Sequence, residues 1–145
     1  MEALRKCEFM SELLQSVLQA HDGIDRWNKF ITVSATFVTG GGLMPMKGVE
    51  LPTTPLVGIA SIHEQKTVIK PFGQPDRRMV FASQKVVIET KAGEIVSEQS
   101  NPRETFAGHV LNTYWDSLHR AYFNGYARWT YLTTIFYGDA RFPNN

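Results

Sequence analysis

The hydrophobic period of this chain changes twice, and that change restricts the fold more than any single motif does. Over residues 30–39, Ile31, Val33, Ala35 and Phe37 alternate with Thr32, Ser34 and Thr36. Period two with branched side chains is the pattern of a half-buried strand. Strand-like runs follow at 56–63, 66–70, 78–82 and 85–90, and Ile95-Val96 starts another. Phe72-Gly73-Gln74-Pro75-Asp76 and Lys91-Ala92-Gly93-Glu94 are turn sequences, with glycine for backbone freedom and proline for a fixed φ. The alternating long helices of a parallel sheet are missing, so the five or six strands are expected to form an antiparallel sheet.

On both sides of the strand region the period is 3.6. A first helix is expected over 3–20, with Leu4, Cys7, Met10 or Leu14, Val17 and Leu18 on its apolar side, stopping before Gly23. One more turn is expected at 22–27, anchored by Trp27. In the last third, Leu111, Trp115, Leu118 and Tyr122 follow the spacing i, i+4, i+7, i+11, with Trp129 seven further on. That stripe predicts helix, and Asn124-Gly125 predicts a break, with a second helix over Ala127 to Phe136. The expected class is α+β: one domain spanning 1–145, with a curved, half-barrel-like antiparallel sheet covered by N-terminal and C-terminal helices.

Composition excludes several functions. The chain has 145 residues, enough for one full core. Hydrophobic residues make up 43%, charged residues 20%, and the net charge is +1. These are ordinary values for a globular protein, and no basic run offers a footprint for nucleic acid. Cys7 is the only cysteine, which rules out an internal disulfide and a cysteine-rich metal site. No stretch reaches transmembrane length. Glu8 and Glu12 interrupt the N-terminal apolar residues, so no signal peptide is visible. The expected compartment is the cytoplasm for the chain as it stands, and the periplasm for a processed mature form.

Nine Phe, five Tyr and three Trp make seventeen aromatic residues, and ten of them lie between Phe106 and Tyr137. Ring area on that scale covers a core or an apolar ligand. A curved sheet that meets its helices imperfectly leaves an apolar cavity between them, with a few polar groups in the wall. The residues proposed to line it are Phe37, Met44, Met46, Phe81, Trp115, Tyr122 and Trp129. The Gly40-Gly41-Gly42-Leu43-Met44-Pro45-Met46 segment reads either as a mobile loop or as a rim at the pocket mouth.

Catalytic signals are sparse. His109, Asp116 and His119 are the weak candidates, since two imidazoles and a carboxylate suit zinc, iron or acid–base work. The spacing is not HExxH, and Asp116 has Arg120 at i+4 as an ordinary partner. The glycine triplet lacks the Lys-Ser or Lys-Thr of a phosphate loop. No metal and no cofactor is assigned.

Several stretches carry a resemblance. Ala20-His21-Asp22-Gly23-Ile24-Asp25-Arg26-Trp27, Pro71-Phe72-Gly73, Phe106-Ala107-Gly108-His109, Trp115-Asp116-Ser117-Leu118-His119, Ala121-Tyr122-Phe123 and Gly125-Tyr126-Ala127-Arg128-Trp129 resemble a group of uncharacterised bacterial proteins. That group is similar in architecture to the outer-membrane lipoprotein carriers. The resemblance implies a strongly curved half-barrel with helices over its concave side, and a lipid-like ligand. It also implies a chain shortened relative to longer relatives, its barrel closed by a second copy or left open. Three readings follow. The first is binding or carriage of a lipid-like or other hydrophobic small molecule. The second is a structural or protein-interaction domain with a filled core. The third is an enzyme acting on a hydrophobic substrate through His109, Asp116 and His119.

Overall fold

The computed structural model describes residues 12–134. Helix α1 covers 12–20, and α2 covers Gly23–Trp27. The expected helix residues Leu4, Cys7 and Met10 lie outside the described range. Strand β1 is Thr32–Phe37, and a short helix α3, Leu43–Met46, follows the glycine triplet. Then come β2 Leu56–Ser61, β3 Lys66–Lys70, β4 Arg77–Ala82, β5 Lys85–Thr90 and β6 Ile95–Ser100. A 3-10 turn, Glu104–Phe106, precedes the long helix α4, Ser117–Thr133.

The six strands form one antiparallel meander in chain order, β1 to β6, and the sheet is open. Period-two alternation sorts their side chains. One cross-strand row is Val33, Ala60, Thr67, Phe81, Val86 and Gln99, and the next is Ala35, Gly58, Ile69, Met79, Ile88 and Ser97. The middle members of both rows are buried, and their apolar side chains make the hydrophobic core with Leu56, Phe72, Ala121 and Trp129. The opposite face carries Ile59, Val68, Val80 and Val87 in one half-buried row. The Arg78–Glu89 and Lys85–Glu98 ion pairs flank that row, at 2.6 and 2.8 Å.

Helix α4 is the cover. It lies against β2 to β6, and its buried residues are Ala121, Gly125, Trp129 and Thr133, one every fourth position. Small residues at the first two positions let the helix axis come close to the sheet. A Cβ built on Gly125 would sit 2.3 Å from Phe81 Cβ and 2.8 Å from Met79 Cε. Farther along, the Trp129 indole N–H donates to the Ser61 carbonyl at 2.9 Å, which fixes the helix against β2.

Two expectations are corrected here. The expected break at Asn124-Gly125 does not occur, because Gly125 serves close packing instead of ending the helix. Nor does the helix reach back to Leu111 and Trp115. Asp116 is extended, at φ −77 and ψ −177, and its carboxylate accepts from the Leu118 and His119 N–H groups, which starts the helix at Ser117. The N-terminal cover is not seen among the described residues, where α2 contains no buried residue.

Candidate functional site

The space expected for a ligand, between sheet and helix, is packed. Phe81, Met79, Val86 and Ala121 are fully buried there. The larger concavity lies beside α4, where two irregular segments meet it.

The first segment is α3 and the turn after it. Lys47 caps the helix, and Gly48 follows at φ 71, a left-handed conformation that favours glycine. The Tyr114 ring occupies the place a side chain would take on Gly48. The second segment runs from the 3-10 turn to Trp115. It is tied to the first at two points, both on Lys47. The Trp115 N–H donates to the Lys47 carbonyl at 2.9 Å, and Lys47 Nζ donates to the Val110 carbonyl at 2.8 Å. The ammonium also stands 5.1 Å from the Trp115 ring centroid.

Phe106 is the hub of the second segment. Its ring lies 5.3 Å from His109, 5.5 Å from Trp115, 5.0 Å from His119 and 5.5 Å from Tyr122, centroid to centroid. Between these pieces runs a solvent-open groove of about 540 Å³. Leu43 and Lys47 form one side, Phe106, His109, Val110, Leu111 and Trp115 the other, and Tyr122, Phe123 and Tyr126 of α4 the floor. Val110, Leu111 and Tyr126 are 64%, 68% and 47% exposed, so apolar surface continues over the rim.

The residues proposed from sequence separate into groups. Trp115 and Tyr122 line the groove. Phe81 supports its floor from the core, edge-on to Tyr122 and Tyr126 at 5.7 and 6.2 Å. Trp129 is core. Phe37 lies under the Arg128 guanidinium, 4.0 Å away, and burial lowers that arginine's pKa. Met44 faces a separate cavity of about 30 Å³ beside Val49, Leu56 and Phe72, room for about one water and no organic ligand. Met46 is 44% exposed. The glycine-triplet segment supplies a rim through Leu43, not through either methionine.

His109 and His119 do meet, with ring centroids 5.0 Å apart. Asp116 Oδ1 lies 2.9 Å from His119 Nδ1. The carboxylate is already committed to the helix start, and the Asp116 N–H reaches back to His119 Nδ1 at 3.4 Å, which makes a reciprocal cap. Among the described residues no three His, Cys, Asp or Glu side chains are placed to hold a metal ion. No serine, threonine or cysteine is among the residues that line the groove. Tyr122 holds its proton above the ordinary tyrosine range. Burial is the main cause, partly opposed by the positive charge of Arg103 and reinforced by Tyr126.

Lys47, Phe106, Val110, Leu111, Phe123 and Tyr126 were not foreseen as site residues. Phe123 and Tyr126 belong to the aromatic run and share a helix with Tyr122, which was a usable signal. Lys47 carried none, since its partner Val110 is 63 residues away. The chain matches no protein-family model, no curated protein and no solved structure.

Proposed function

We propose that the chain binds a hydrophobic, lipid-like small molecule in the groove beside α4. The observation that carries this reading is the lining: about 540 Å³ walled almost entirely by aromatic and aliphatic side chains, with Lys47 and His109 as its polar members. Small-molecule sites of 300–1,000 Å³, roughly, have this make-up, a greasy wall with a few placed polar groups. The exposed apolar rim supports it, because contiguous apolar surface of this kind is uncommon without a partner to cover it. Among the described residues no helix is long and apolar enough to cross a membrane.

A direct test is titration with N-phenyl-1-naphthylamine, a neutral probe that fluoresces in apolar surroundings, followed by displacement with dodecanol. Saturable one-to-one binding and full displacement are expected. Leu111→Asp places a charge in the groove wall at a residue that takes no part in the core. It should weaken the probe by roughly tenfold or more while leaving the circular dichroism unchanged. Unsaturable binding, or equal affinity in the variant, would remove the groove as the site and leave the filled-core interaction domain as the better reading.

A further inference from the structure

Lys47 is the anomaly of this surface. It is 5% exposed, yet no carboxylate among the described residues pairs with it. Buried lysines are almost always paired with an opposite charge, because a desolvated ammonium is costly. An ammonium has three N–H donors. Here one goes to the Val110 carbonyl and the Trp115 ring takes part of the charge, which leaves donor capacity and a full positive charge in the wall of an apolar groove. One neighbouring wall residue shows the same surplus. The Trp115 indole N–H, which can only donate, has no acceptor, and His109 Nδ1, a donor or an acceptor according to tautomer, has no partner either. The Asp116 carboxylate, next in the chain to Trp115, accepts from the Leu118 and His119 N–H groups through Oδ1.

On the reading that the groove binds an apolar molecule, we infer that its ligand is an amphiphile with an anionic head, of the long-chain carboxylate class, whose head is held by Lys47. The missing counter-charge is then supplied by the ligand. The carboxylate accepts from the lysine donor that no protein group uses, and the chain lies along Tyr122, Phe123 and Tyr126 on the groove floor. Charge complementarity decides between head groups. A cationic head meets repulsion at Lys47, and a neutral alcohol supplies an acceptor but no charge.

The test compares three twelve-carbon probes on the unaltered protein, each below its aggregation concentration: dodecanoate, dodecanol and dodecyltrimethylammonium, read by displacement of the neutral fluorophore. Dodecanoate should bind about tenfold or more tighter than dodecanol, as a charge-assisted hydrogen bond provides. Dodecyltrimethylammonium should bind weakest. Lys47→Met should abolish the preference for dodecanoate over dodecanol, and Lys47→Arg should keep it. Equal binding of acid and alcohol by the unaltered protein overturns the anionic head and leaves the groove reading standing. A preference for the acid that survives Lys47→Met overturns the assignment to Lys47. Failure of all three probes overturns the groove reading as well. The comparison on the unaltered protein decides the question even where Lys47→Met does not fold.

Discussion

Gly125 stands in the middle of α4, where glycine costs about 1 kcal/mol relative to alanine. Its position against β4 explains why that cost is tolerated. An added Cβ would approach Phe81 Cβ to 2.3 Å and Phe81 Cγ to 2.7 Å. Those atoms are the rigid base of a fully buried ring, so they cannot swing aside as the tip of a long side chain can. Gly125→Ala should therefore reduce stability by about 1–3 kcal/mol, opposite in sign to the helix-propensity effect. Urea denaturation followed by circular dichroism measures it. A variant as stable as the parent or more so would mean that helix and sheet do not touch at this position.

At the level of elements, α4 depends on how it starts. Asp116 accepts two backbone N–H groups, and His119 completes the reciprocal pair. Asp116→Ala should cost about 0.5–2 kcal/mol through loss of the cap. It should also loosen the Phe106 cluster, because His119 then loses the group that orients its ring. Thermal melting and near-ultraviolet circular dichroism report the two effects separately. Asn at this position should restore most of the stability, since its side-chain oxygen still accepts; a failure of Asn to rescue would argue against the cap. The strands were legible in the sequence because period two survives burial on one face: each observed strand falls on an expected run. Helix α4 was less legible. Asn124-Gly125 carries a breaker signal that only the facing Phe81 overrides, and the Ala121, Gly125, Trp129, Thr133 spacing was obscured by the larger residues beside it. The candidate site was legible only as an excess of aromatic residues. Trp115 and Tyr122 lie along the groove, while Phe81 and Trp129, of similar residue types, belong to the core. Residue type cannot separate those roles, because both require apolar area, and the segment from 106 to 115 that makes the difference has no periodicity to read.

Across the whole molecule, one helix serves two surfaces. Its inner side closes the open sheet, and its flank makes the groove floor, with Tyr122 and Tyr126 packed edge-on to Phe81 beneath them. Anything that changes Tyr122 is therefore felt in global stability as well as in the groove. Its folded-state pKa is raised above the ordinary 10.0, first by burial and next under the opposing and reinforcing influence of Arg103 and Tyr126. The unfolded chain releases this proton near its ordinary value, while the folded chain still holds it. Above about pH 10 the unfolded state then binds fewer protons than the folded one, so stability falls as pH rises. The contribution is fully present below the unfolded pKa and is lost as pH climbs through the folded one. Tyr122→Phe keeps the ring and removes the ionisation. Urea midpoints at about pH 8 and about pH 11 should fall less in Tyr122→Phe than in the parent. Other tyrosines and lysines titrate in both proteins, so the difference between the two falls isolates Tyr122. Identical falls would show that its hydroxyl is as well solvated in the folded chain as in the unfolded one, and that the groove floor is wet where it is argued to be apolar.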